Sequence, residues 1–208
     1  MTIPFWTTGG NTINLLELQP ADLSAEVLAD ALAKTNRFSG RTPEPWSVAM
    51  HSVLVESLCP PDLRPWALLH DAHEAIIGDI TSPAVDFIAR IGRNPDIHEC
   101  IGLAKGRLDR AIGAAWSVAV QSVAYALRRA DRIALQAEAI RFLDAEPVLF
   151  DPNDEGDLDR AHSILEDLPA PRDWRGARDL WLSRVDHYAQ LGLMNPPRTH
   201  DPACAVQA

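Results

Sequence analysis

"HDAHEAIIGDITSP", residues 70–83, follows the apolar run "LRPWALL" and carries histidines and carboxylates into it. Leu63, Trp66, Leu68, Leu69, Ile76 and Ile77 predict one helix over 63–77, closed by Gly78. On such a helix His70 and Glu74 lie one above the other, and Asp71 and Glu74, three apart, are neighbours. His70 and Asp71 differ by roughly 100° and converge on a point between them. Imidazole with carboxylate suits one divalent ion of borderline hardness, Zn, Co, Mn or Ni, with Mg possible.

One helix cannot enclose an ion, so further ligands must come from elsewhere. His51, in "SVAMHSVLV", has Val48 at i−3 and Leu54 at i+3, which predicts an inward-facing ring. Asp131, in "YALRRADRIALQAEAI", lies between Leu127 at i−4 and Leu135 at i+4, an apolar face on which an unpaired carboxylate is costly. An ion shared by His51, His70, Asp71 and Asp131 satisfies all four groups. Each also has a purely structural alternative: a hydrogen-bonded core histidine, or a salt bridge from Asp131 to Arg128 or Arg132.

The rest of the chain reads as helical. Two short extended segments flank Thr8-Gly9-Gly10-Asn11 and predict a small hairpin. Leu23, Val27, Leu28 and Leu32 give a helical stripe capped by Asp22 or Ser24. "NRFSGRTPEPW" is a loop. Ser47 caps the helix of His51, and "CPPD" stops it. A short helix over 82–90 follows Pro83, and 95–143 holds two helices with a break near Gly113. An acidic loop, "DAEPVLFDPNDEGDL", precedes a last amphipathic helix, "ARDLWLSRVDHYAQLGL", whose Trp174 and Trp181 pack either the chain's own core or a symmetric partner. The tail "NPPRTHDPACAVQA" reads as frayed.

The net charge of -10 argues against binding a nucleic-acid backbone, although a metal ion and one or two arginines can reverse the field inside a cleft. Cys59, Cys100 and Cys204, odd in number and widely spaced, fit neither a disulfide scaffold nor a CxxC zinc knuckle and suggest reduced thiols in a cytoplasm. The start "MTIPFWTTGG" lacks a basic leader and an apolar core, and no run of about 18 apolar residues occurs, which predicts no secretion and no membrane span.

"SVAMHS", "ALLHDAHEAIIGDITSP" and "RRADRIAL", taken in order, resemble the HD-domain metal-dependent phosphohydrolases, over about residues 11–143. The match is strongest to their nucleotide-hydrolysing branch, which includes bacterial 5'-deoxyribonucleotidases and phage dATP triphosphohydrolases. The resemblance implies a mainly α fold, a single-domain HD-type helical bundle with the small N-terminal β hairpin. Residues 1–143 would form the core, 144–195 an acidic loop and helical extension packed on it, and 196–208 a flexible tail. It implies the metal ligands His51, His70, Asp71 and Asp131, the set that burial also selects, with Glu74 and Asp79 beside the scissile phosphate. Arg37 matches a phosphate-binding arginine, and Phe38 an aromatic that seats sugar or base. Relatives carry a lysine shortly after the Gly-Asp pair where this chain has Val85, so that contact is either missing or supplied by Arg41 or Arg90.

These parts imply in-line attack of metal-activated water at the α-phosphorus of a deoxynucleotide. Glu74 would orient or deprotonate the water, Asp79 would protonate the leaving oxygen, and Arg37 would neutralise charge on phosphorus. Arg41 and Trp46 extend the same loop as a clamp and base pocket, unless Trp46 closes the core. His73 is a substrate contact or, with His98, a member of a second site. The alternatives are a degenerate HD module serving as a regulatory or scaffold subunit, and a hydrolase of alarmones or cyclic dinucleotides. The expected partners are a small nucleotide and further copies of the chain in a homo-oligomer, with no nucleic acid and no membrane.

Overall fold

Helix α2 (Val48–Leu58) is the centre of the molecule. Its sequence VAMHSVLVESL is apolar on every side, and a helix of that kind is stable only when enclosed. Val48 through Glu56 are all buried. The Ser47 hydroxyl accepts from the Met50 N–H at 3.4 Å and caps its start, and Pro60, just past Cys59, stops it. Around it pack α1 (Ala25–Lys34), α3 (Arg64–Leu69), α7 (Tyr125–Leu143), α8 (Asp154–Asp167) and α9 (Trp174–Gln190). The computed structural model describes residues 2–7, 11–147, 154–168 and 173–198. They form one mainly α domain with a two-stranded antiparallel hairpin, β1 (Pro4–Trp6) and β2 (Thr12–Asn14), in which Phe5 faces Ile13. Its expected turn residues 8–10 lie outside the described set.

Ser24, not Asp22, caps α1, by accepting from Val27 N–H, and Val27 itself is exposed rather than part of the buried stripe. The single helix expected over 63–77 is two, α3 and α4 (Glu74–Ile77). Between them the backbone bonds close three residues apart: Ala72 N–H to Leu69 O at 2.9 Å, Glu74 N–H to Asp71 O at 2.9 Å, Ile76 N–H to His73 O at 3.0 Å. This tighter winding aligns residues three apart and so lines Asp71 up with Glu74. Gly78 closes α4 as expected, with φ +76 that other residues adopt only at a cost.

Helix α5 (Ser82–Gly92) pairs with α6 (Ile97–Trp116) and leaves Phe87, Ile91 and Leu103 exposed. The break expected near Gly113 lies instead at 117–124. Gly113 is there for close approach, since a Cβ on it would stand 2.6 Å from Val120 Cγ2 and 2.9 Å from the Val118 carbonyl. Part of the expected acidic loop is helical: Asp154, Glu155 and Asp157 fill the first turn of α8, where the helix dipole favours negative charge. Residues 148–153 of that loop and 199–208 of the expected tail lie outside the described set. Trp181 belongs to the chain's own core, edge-on to Trp116 at 5.9 Å between ring centres and donating Nε1–H to Leu68 O at 3.3 Å. Trp174 is half-buried beneath Lys34, whose Nζ is 4.0 Å from the ring centre. No helix among the described residues is long and apolar enough to cross a membrane.

Candidate metal centre

His51 projects from the enclosed middle of α2 and is fully buried. Its Nδ1 stands 2.7 Å from Glu138 Oε1, and His70 Nδ1 stands 2.7 Å from Ala67 O. Both Nδ1 hydrogens are thereby committed, so each neutral ring presents an Nε2 lone pair. The lone pairs face two carboxylates. His51 Nε2 is 3.1 Å from Asp131 Oδ1 and 3.6 Å from Asp71 Oδ2, while His70 Nε2 is 3.9 Å and 3.2 Å from the same two oxygens. Ligand atoms about 2.1 Å from a tetrahedral ion stand about 3.4 Å apart, and these four separations bracket that edge.

Burial opposes charge on each of these groups, and their neighbours' charges decide the outcome. Burial lowers the pKa of His70, yet the Asp71 charge and hydrogen bonds to Asp131 and Asp71 outweigh it and hold the ring well above its ordinary value. His51 is raised as well, against burial and the Arg37 charge, by Glu138 and Asp131. Burial raises Asp71, but the His70 charge overrides it and holds the carboxyl well below the usual range. A divalent ion held here would supply positive charge to the two carboxylates while the rings stayed neutral. Asp131 meets His51 and His70, while Arg128 donates to Ser122 O and Arg132 to Asp154. Its side chain is 46% exposed, and Leu135, expected beside it on a buried face, is exposed, so the cluster opens to solvent on this side.

Arg37 is buried in the loop between α1 and α2, with Nε donating to Glu138 Oε2 at 2.9 Å and Nη1 3.9 Å from Asp71 Oδ2. It closes a chain of contacts running from Asp71 through Arg37 and Glu138 to His51. Phe38 (φ 54) and Ser39 (φ 53) then turn left-handed, a costly conformation for residues with a Cβ, and the Arg37 guanidinium lies 5.6 Å from the Phe38 ring centre. Arg41 is exposed. Trp46 is 5% exposed and packs 4.9 Å from the Phe142 ring centre, the geometry of a core residue and not of a base pocket.

Glu74 and Asp79 stand near enough to Asp71 and Arg37 for those charges to act on both. Burial first, then the Asp71 and Asp79 charges, push Glu74 up to about 8. Asp79 is also raised, by burial and Asp71 against Arg37 and Lys105. His73 is buried and held through Nδ1 by Asp109 Oδ1 at 2.9 Å. Arg41 and Arg90 are both exposed, Val85 is buried, and Lys105 of α6 comes within 3.6 Å of Glu74 Oε1. His98 is exposed and pairs with Asp86 at 3.2 Å, away from His73.

Glu138, Lys105 and Asp109 were missed by sequence reasoning. Glu138 carried a signal: it stands seven residues after Asp131, two turns along the same helix, flanked by Ala134 and Ala137 that leave room for a buried carboxylate. Lys105 and Asp109 gave none, because only the return of α6 past α4 brings them near.

The fold and this cluster define a mainly helical domain with His and Asp residues placed to coordinate a metal ion. No protein-family model matches the chain. It is similar to an uncharacterized protein of Rhodobacter capsulatus, 40% identical over 83 residues, which is 36% of this chain and 42% of that protein. It is also similar to the uncharacterized protein YfdR of Escherichia coli K12, 39% identical over 62 residues, 30% of this chain and 35% of YfdR. Both matches span less than half of those relatives' own lengths.

Proposed function

We propose that the chain is a metal-dependent phosphohydrolase of the HD type, acting on deoxyribonucleotides by attack of water at the α-phosphorus. The observation that carries this is the set of four nitrogen–oxygen separations, 3.1 to 3.9 Å, among His51, His70, Asp71 and Asp131. A divalent ion held there would lower the pKa of a bound water and polarise a phosphoryl oxygen. Glu74, on the Asp71 side of the cluster, takes the proton from the attacking water, and a pKa of about 8 suits a group that trades protons near neutrality. Asp79, also raised, delivers a proton to the leaving oxygen. Arg37 keeps its Nη edge toward phosphate while Glu138 anchors its Nε, and Phe38 sits beside it for sugar or base. Lys105 supplies the second cation at the phosphate.

In either case the Pα–O5' bond breaks and the deoxynucleoside leaves, so the phosphorus-bearing product is inorganic phosphate from a monophosphate or inorganic triphosphate from a dATP-like substrate. The deciding experiment is a panel of dNMPs, NMPs, dNTPs and NTPs with Mn²⁺, Co²⁺, Zn²⁺ or Mg²⁺, with products separated by chromatography. Inorganic phosphate from dNMPs selects the nucleotidase, and inorganic triphosphate from dATP the triphosphohydrolase. No turnover of any member by metal-loaded protein overturns the enzyme reading. We place the protein in a cytoplasm, where free Cys59 and Cys100 stay reduced, and in a homo-oligomer that sedimentation would register as a multiple of the chain mass.

A further inference from the structure

His73 has no part in that chemistry, yet it is held as firmly as the ligands that do. Its ring is 4% exposed. Nδ1–H donates to Asp109 Oδ1 at 2.9 Å, and the other oxygen of Asp109 accepts from the Ser122 hydroxyl at 2.9 Å. A carboxylate locked onto Nδ1 leaves the lone pair on Nε2, and that buried nitrogen has no hydrogen-bond partner among the described residues. Glu74 repeats the pattern: it is 4% exposed, Lys105 approaches Oε1, and Oε2 is buried without a partner. One ligand atom from each of Asp71, His73 and Glu74 lies within 4.8 Å of the other two. A lone pair and two carboxylate oxygens gathered out of water cost free energy unless a cation joins them.

We propose that Asp71, His73 and Glu74 form a second divalent-cation site beside the first, with Asp71 as the carboxylate shared between the two. The tight winding between α3 and α4 builds it, since it brings Asp71 and Glu74, three residues apart, into line. One imidazole nitrogen and two carboxylate oxygens suit Mn²⁺, Co²⁺ or Zn²⁺ and disfavour soft ions, which want thiolate. Asp109 and Ser122 act as positioning residues that fix the ring and its tautomer. The site rests on the preceding reading through Asp71, shared with the first ion, and Glu74, the base in that chemistry. Its occupancy makes Glu74 a ligand, so loading the second site sets how freely Glu74 accepts a proton.

The test counts ions in the full chain, dialysed against Mn²⁺ and measured by mass spectrometry, with Mn²⁺ EPR reporting whether two ions are coupled. Wild type is expected to retain two ions per chain with a coupled spectrum. His73→Ala should retain one with an isolated-ion spectrum, and Asp71→Ala none. Asp109→Asn, which changes only the partner of Nδ1, should weaken the second ion roughly 10–100-fold and leave the first; it decides the matter where His73→Ala fails to fold by circular dichroism. One ion in wild type that His51→Ala removes and His73→Ala does not overturns the second site and leaves the first standing. Two ions that survive in His73→Ala or Asp109→Asn with unchanged affinity overturn the ligand assignment. No ion in wild type removes both this site and the metal centre of the proposed function.

Discussion

His51 and Glu138 meet at 2.7 Å in the middle of the fold, Nδ1 to Oε1, with both side chains fully buried. The carboxylate sets the tautomer that turns the His51 lone pair toward Asp71 and Asp131, and its second oxygen anchors Arg37 at 2.9 Å. One residue therefore orients the His51 ring and the Arg37 guanidinium together. Glu138→Gln is expected to lower metal affinity by roughly 10–100-fold with little loss of structure. Glu138→Ala should also cost about 3–5 kcal/mol, because it strands the buried Arg37 charge. Titration calorimetry and urea melts check the two effects, and metal affinity unchanged in Glu138→Gln would show that Glu138 does not orient His51.

The metal-free protein should lose stability as pH rises. Glu74 sits at about 8 in place of 4.5, because burial and the Asp71 and Asp79 charges oppose its ionised form. The fold thus keeps a proton that the unfolded chain releases, so stability falls between about pH 4.5 and pH 8 and levels off above. His70 acts in the same direction. Its pKa, held above 6.5 by Asp71 and Asp131 against burial, makes a contribution that is full below 6.5 and fades as pH rises through the folded value. Melting temperatures of chelated protein should decline across this range, and Glu74→Gln should flatten the part below about pH 8. A Glu74→Gln profile parallel to wild type would contradict the raised carboxyl. Affinity for an added divalent ion should run the opposite way and rise with pH, since an ion held by His51 and His70 would displace their protons.

Cys59 and Cys100 should differ sharply in reactivity. Burial and the Glu56 charge push the Cys59 thiol up to about 12, whereas Cys100 is exposed on α6. At pH 8 only about one Cys59 in ten thousand is thiolate, and burial screens even that. With Cys204 changed to Ser, iodoacetamide should modify one site per folded chain and two after unfolding, by intact mass. Rapid double modification of the folded protein would mean that the end of α2 opens.

Periodicity made the helices legible, and burial cost pointed to the histidine–aspartate cluster. His51 stood on an apolar face where a polar group needs a reason. The same sequence pattern marks Asp131, although its side chain is 46% exposed beside an exposed Leu135. The structure brings both to His70 and Asp71. What sequence could not show was anything set by the path of the chain. The step from α3 to α4 hides within a helical pattern, because three-residue and four-residue closures use the same residue types. Lys105 and Asp109 reach Glu74 and His73 only because α6 passes α4. Helix α8 carries a buried stripe, Leu158 and Ala161, too short and too acidic at its start to stand out. Trp46 and Trp181 read as surface or core with equal ease until their neighbours are known.

Gly113 is where two physical rules make opposite predictions. As a glycine inside α6 it should gain about 1 kcal/mol on replacement by alanine, from helix propensity alone. The added Cβ, however, would stand 2.9 Å from the Val118 carbonyl and 2.6 Å from Val120 Cγ2, where the chain doubles back after the helix. Val120 can rotate away, but the carbonyl is backbone, tied to the same turn by the Val118 N–H bond to Gly113 O at 2.9 Å. Overpacking against backbone costs about 1–3 kcal/mol, so crowding outweighs propensity or at least cancels it. Gly113→Ala should therefore lower the urea midpoint. Gly102→Ala, on the same helix with open space around it, should raise the midpoint slightly. Stabilisation of similar size at both positions would mean that the segment 117–124 yields freely and that Gly113 is not there for close approach.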